Sequence, residues 1–258
     1  MSADVQTPAA VADQPVAPGQ GLWRYLAMPC FVAVALGALY LYVSSQELDR
    51  IEAVRLTPEF IAASTVRHLY LVGVSTVLVI LIAVPLGILL TRPFARRVSP
   101  SIVAVTSTAQ SVPSIGVVVL LALFFNLGVR IAIVALVVYA FVPVLRNTMV
   151  GLQQVDESVM EAGRGMGLTK RGVLTQIELP LSVPVMLAGV RTALVINVGT
   201  AAIATLINAG GLGDVIYTGL VQNRTIVTLT GAVLTGSLAL MVDYIAGIAE
   251  DVLRPKGL

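Results

Sequence analysis

Few side chains in this sequence could do chemistry, and their spacing argues against catalysis. His68 and Cys30 are the single histidine and the single cysteine. They leave no ligand set for a metal and no partner for a disulfide within the chain. Gly163, Gly165 and Gly167 stand close to Lys170 and invite comparison with a phosphate-cradling loop. A P-loop needs glycine, four residues, then Gly-Lys-Ser/Thr, so that backbone N–H groups converge on phosphate. Counted from Gly163, the second glycine of that pattern is Leu168, and Lys170 is followed by Arg171. No catalytic residue and no cofactor is expected on this chain. The other notable polar residues lie in or beside apolar runs. They are Ser111, Pro113 and Ser114; Asn197, Thr200 and Asn208; Asp214 in the turn Gly210-Gly211-Leu212-Gly213; and the ionisable Arg191 and Asp243. Inside a membrane such residues either line a wet route or hold helices together.

The elements that must position them follow from composition. Of 258 residues, 57 % are hydrophobic and only 12 % charged, too few charges to cover a soluble surface. A net charge of +2 carries no signature of nucleic-acid binding. Charges punctuate the chain, and the gaps between them are long enough for the roughly 20 residues that cross hydrocarbon. The gaps predict an all-α polytopic protein with six membrane helices, near 24–45, 67–91, 101–125, 129–150, 183–208 and 226–249. With an inside N-terminus, ten Lys and Arg fall on inner segments and five on outer ones, Arg191 lying within a span. This bias puts both termini in the cytoplasm. Residues 1–22 hold three prolines and lack a basic signal-peptide start, so they read as a disordered cytoplasmic tail.

One interior segment breaks the apolar pattern: GLQQVDESVMEAGRGMGLTKRGVLTQIELP, 151–180. Asp156 can cap a short helix, and Ser158 with Glu161 has capping-box spacing. The three glycines suit a sharp turn. Thr169 can cap a second short helix with Val173, Leu174 and Ile177 on one face, which Pro180 ends. Two exposed amphipathic helices outside the bilayer need a partner.

The segment resembles the cytoplasmic loop of ABC importer permease subunits, which has the form Glu-Ala-Ala, three residues, Gly, nine residues, Ile-x-Leu-Pro. Glu161, Ala162 and Gly163 open it, Gly167 follows at the family spacing, and Ile177, Leu179 and Pro180 close it. The one departure is Gly163 in place of the second alanine. The stretches SVPSIGVVVLLALFF (111–125) and AGVRTALVINVGTAAIATLINAGGLGDVIYTGL (188–220) are similar to the osmoprotectant branch, which imports glycine betaine, choline, carnitine or proline betaine. GGLGD at 210–214 also resembles methionine-importer permeases. The resemblance implies a type I ABC importer permease with no enzymatic activity of its own, in a bacterial or archaeal inner membrane. Its implied partners are ATPase subunits carrying ATP and Mg, a second permease subunit and an extracytoplasmic binding protein, with the lipid bilayer around it. A methionine-type permease and an ATP-independent secondary transporter are the alternatives.

The implied organisation is a tail at 1–22, an N-terminal helix and outer loop at 23–66, a permease domain at 67–250 and a tail at 251–258. Pro113 frees a carbonyl in helix 3, so Ser111, Pro113 and Ser114 form a kink that either lines the pathway or packs in the bundle. Asn197, Thr200 and Asn208 share a helix face that the resemblance sets beside the pathway, and Asp214 lies in an outer turn. Arg191 and Asp243 sit at similar depth and are expected to pair. Cysteine labelling tests the topology: a reagent confined to the outside is expected to reach position 52 and to miss position 170, whereas labelling at both breaks the helix count.

Overall fold

The computed structural model describes residues 20–95, 97–109 and 111–253, with residues 20–24 and Ala109 described by backbone alone. Most of the expected tails, together with Arg96, Arg254 and Lys256, lie outside the described residues. In chain order the helices are α1 (Gln20–Ser44), α2 (Arg50–Arg55), α3 (Pro58–Leu90), α4 (Ser99–Ala109), α5 (Ser114–Phe124) and α6 (Val129–Gln153). They continue with α7 (Glu157–Gly165), α8 (Lys170–Val173), α9 (Leu179–Ile203), α10 (Leu212–Val221) and α11 (Thr225–Leu253). Among the described residues no strand occurs, and five helical runs are long and apolar enough to cross a membrane. An all-helical build suits hydrocarbon, because a helix satisfies its backbone polar groups within itself.

The expected third span is where sequence and structure differ most. Residues 99–124 form two eleven-residue helices, not one. Pro113 does not kink a continuous helix; with φ −56° and ψ 135° it leads into α5 as its N-cap residue. Proline is at home at a helix start, where its missing N–H costs nothing. The second span begins earlier than expected, because Thr57 accepts the Phe60 N–H at 3.3 Å and Pro58 takes the first helical position. Two short helices, α2 and α10, were not expected. In α2, Asp49 and Glu52 form a capping box, and Glu52 is buried. The exposed Glu47 is therefore the better outer-loop labelling position.

Helices α3, α6 and α9 form the centre, and α6 with α9 makes the most extensive packing. Lipid tails are as apolar as the helix surfaces, so close packing, not water avoidance, must hold the helices together. Glycines permit it. A Cβ on Gly189 would stand 2.5 Å from the Asn147 Cβ and 3.0 Å from the Pro143 carbonyl oxygen, and one on Gly151 would stand 3.0 Å from the Ser182 carbonyl oxygen. A Cβ on Gly87 would stand 2.7 Å from Thr148 Cγ2, which brings α3 onto α6. Leu71, Leu136, Leu145 and Val198 fill the buried interior between them. Helix α1 stays at the periphery, packed on α11, where the Tyr244 hydroxyl donates to the Tyr25 carbonyl at 2.6 Å.

A pair of glycine substitutions tests this packing. Nothing lies within 4 Å of a Cβ built on Gly199, and alanine is favoured over glycine in a helix by about 1 kcal/mol. Gly199→Ala should keep or raise the thermal unfolding midpoint in detergent, while Gly189→Ala lowers it. Equal midpoints would mean that α6 and α9 do not depend on this close approach.

Candidate functional site

The segment 151–180 folds as two helices meeting at a turn, and its own residues dictate each end. Asp156 caps α7 by accepting the Ser158 N–H at 2.8 Å. That N–H and the Ser158 hydroxyl hold the Asp156 carboxyl below the usual carboxylate range, so the cap is present at neutral pH and is lost only as pH falls through the lowered value. Ser158 is already inside the helix, so the capping box expected of Ser158 and Glu161 does not form, and Asp156 acts as a simple N-cap. At the other end Gly167 has φ +91°, the Gly167 N–H reaches the Arg164 carbonyl at 2.9 Å, and the Leu168 N–H reaches the Gly163 carbonyl at 3.1 Å. This is a Schellman termination, which needs a left-handed residue at that position and favours glycine. Thr169 then caps α8 by accepting the Gly172 N–H at 3.2 Å.

Gly163 explains the departure from the family pattern. It is buried, and a Cβ there would run into Ile177 Cδ1. The opening and closing residues of the segment therefore touch, clamping α7 against the chain that leads into α9. Glu161 and Ala162 face outward, and Met166 at the tip is 78 % exposed. Pro180 does not end the second helix as expected. A π turn at Leu174–Glu178 lets the Leu179 N–H reach the Leu174 carbonyl, so α8 runs on without interruption into α9, with Pro180 in its first turn. A residue not singled out from sequence lies in this turn. Glu178 is buried and accepts two hydrogen bonds from Arg92, just past α3, from Nη2 at 2.5 Å and Nη1 at 3.3 Å.

The other candidate residues divide into helix ties and turn residues. Asn197 is fully buried and donates to Ser75 Oγ and Thr76 Oγ1, both at 3.0 Å. It joins α9 to α3 within one chain and does not face open space. Thr200, one turn on, is also buried. Asn208 ends the helix in the left-handed region at φ 62°, a conformation asparagine tolerates. Asp214, in the first turn of α10, accepts from the Thr205 hydroxyl. Ser111 and Pro113 are exposed at the break between α4 and α5, with Ser114 half-buried.

Arg191 and Asp243 meet in a two-pronged ion pair, Nε to Oδ1 at 2.5 Å and Nη2 to Oδ2 at 2.7 Å, which joins α9 to α11. Glu250 stands 3.7 Å from Arg191 Nη1. His68, the single histidine, is fully buried. Its Nε2 lies 3.0 Å from the Val198 carbonyl, and its Nδ1 accepts the Leu212 N–H at 3.3 Å. It thereby pins the glycine turn before α10 to α3. The signal available in the sequence was a lone imidazole at the edge of an uncharged run. Among the described residues no cluster of three or more His, Cys, Asp or Glu could hold a metal ion.

Known proteins resemble the chain along most of its length. The carnitine transport permease protein OpuCB of Listeria monocytogenes is 40 % identical over 194 residues, 75 % of this chain and 88 % of its own. The glycine betaine/carnitine/choline transport system permease protein OpuCD of Bacillus subtilis is 38 % identical over 190 residues, 73 % of this chain and 82 % of its own. Among solved structures, an inward-facing form of the MetNI methionine ABC transporter aligns with a TM-score of 0.68 at 25 % identity, over 75 % of this chain and 96 % of that one. An amino acid ABC transporter at 17 % identity, TM-score 0.65, covers 80 % of this chain and all of that one, and shares the fold. Residues 83–255 match the family described as "Binding-protein-dependent transport system inner membrane component". With the capped helix pair at 156–173 and the helical frame that carries it, this match makes the chain a member of that family of membrane permease subunits.

Proposed function

We propose that this chain is the membrane-spanning subunit of an ATP-driven importer for quaternary-ammonium solutes of the glycine betaine, choline or carnitine type. The observation that carries the reading is the α7–Gly167–α8 unit, capped at both helix starts, clamped to α9 through Gly163 and Ile177, and showing Met166 to its surroundings. A rigid amphipathic corner of this kind suits a groove on a partner protein. In this reading the partner is an ATPase that holds ATP and Mg, and its closure moves the corner. Two permease subunits, identical or paralogous, pair around the pathway, and a binding protein delivers solute from outside. Both termini are cytoplasmic, and the membrane is the inner membrane of a bacterium or archaeon.

The solute class rests on the names of relatives at 34–40 % identity. A methionine-type importer is the second reading, favoured by the structural likeness to the methionine transporter at 25 % identity. Few ionisable residues lie inside the spans, so little is available for ion coupling in a secondary transporter.

The test is uptake in proteoliposomes containing the chain with its partner ATPase and binding protein. ATP-dependent uptake of a betaine, choline or carnitine is expected; uptake of methionine alone would overturn the solute class. Gly167→Leu places a side chain at φ +91°, a strain of about 1–2 kcal/mol that a bundle of this size should survive. Gly167→Leu and Glu161→Lys are expected to reach the membrane at near-normal levels while abolishing uptake and solute-stimulated ATP hydrolysis. Normal uptake by either at equal abundance would remove the loop from the coupling mechanism.

A further inference from the structure

We propose that Arg92 and Glu178 form a positioning tie that passes movement of the docking loop to α3 as well as α9; the proposal rests on the importer reading above. The loop joins the bundle covalently at both ends, from α6 through residues 154–156 and into α9 through α8 and the π turn, and neither route leads directly into α3. Glu178 stands at the end of that turn, immediately after Ile177, the residue on which Gly163 of α7 is seated. Its side chain is only 9 % exposed, yet it ends on the guanidinium of Arg92, two residues beyond the end of α3. Arg92 is itself held in place: its Nε donates to the Ile88 carbonyl at 3.2 Å and its Nη2 to Thr91 Oγ1 at 3.1 Å. A displacement of α7 therefore has an unbroken polar and packing route through Ile177, Glu178 and Arg92 to the last turn of α3.

The chemistry of the pair suits transmission better than simple glue. A carboxylate this buried is costly unless its partner stays in place, so the contact favours moving as a unit over stretching. The two-pronged geometry fixes orientation as well as distance, which a lysine cannot reproduce. The position of the tie completes a lever. Farther along, α3 is already fastened to α9 at its middle, where Asn197 bonds Ser75 and Thr76, and two turns nearer its start, where His68 meets the Val198 carbonyl. Fastened beside the loop by the tie and again from its middle toward its start, α3 is bound to move with α9 when the loop is pushed.

The experiment uses the complete transporter in proteoliposomes and reads solute moved per ATP hydrolysed, together with retention of the ATPase on the purified chain. Arg92→Gln and Glu178→Gln are expected to retain the ATPase while the ratio falls by about tenfold, within the usual range of coupling between sites. The double exchange Arg92→Glu with Glu178→Arg should recover most of the ratio. Single variants with the wild-type ratio would overturn the tie and leave the importer reading intact. If the singles fail to accumulate, the exchange decides. Recovery of abundance and ratio together supports the tie, and recovery of abundance alone, or of neither, overturns it. Wild-type chain that neither retains the ATPase nor supports ATP-dependent uptake would instead refute the importer reading.

Discussion

The close approach of α6 to α9 is the constraint on which the rest of this structure depends. In hydrocarbon, apolar side chains gain little by meeting each other, so helices associate where small residues let backbones approach and where polar groups find partners across the gap. Gly151 and Gly189 provide the first condition on α6 and α9, and Gly87 extends it to α3. Asn197 provides the second, with its amide nitrogen between two hydroxyls of α3. The remaining elements hang on this frame. Helices α10 and α11 form a tight hairpin through Gly219 and Gly231, where a Cβ on Gly231 would stand 2.8 Å from the backbone nitrogen of Ile216. The Arg191–Asp243 pair joins that hairpin to α9.

The docking loop is built on the opposite principle. Helix α7 has nine residues, short enough that isolated helix stability is negligible, so its order comes from its ends and from one face. Asp156 and the Gly167 turn satisfy backbone groups at the two ends, and Gly163 against Ile177 supplies the packed face. The outward face, with Glu161, Ala162 and Met166, is exposed; on the proposed reading it meets the ATPase. Seated through Gly163 and Ile177 on the chain that leads into α9, such an element suits the mechanical input proposed for it. A lid or a disordered tether at this place would lose the displacement it was meant to deliver.

How much of this was legible in the sequence depended on whether the cause was local. Caps and turns are set within a few residues, so Asp156, Gly167 and Thr169 were readable from spacing, as was the pairing of Arg191 with Asp243 from their similar depth. The break at Pro113 was visible as a proline but ambiguous, because the same residue kinks a continuous helix or opens a new one, and the uncharged stretch 98–129 offers no boundary to decide. The early start of α3 was missed because charges at Glu59 and Arg67 mark a membrane boundary, not a helix boundary, and Thr57-Pro58 sets the latter. Pro180 misled for a related reason: a π turn absorbs the missing N–H that normally stops a helix. The contacts of Glu178 with Arg92 and of His68 with Leu212 join residues 86 and 144 positions apart, and no spacing rule reaches that far.

The central claim is that the 151–180 segment docks on an ATPase. The most direct measurement places a photo-crosslinking amino acid at Met166 in the assembled complex, with a control at Leu123 on α5, which is equally open at 76 % exposed. Irradiation should join the chain to the ATPase from position 166 and not from position 123. An intact complex in which position 166 yields no ATPase adduct, or in which position 123 yields as much, would contradict the account.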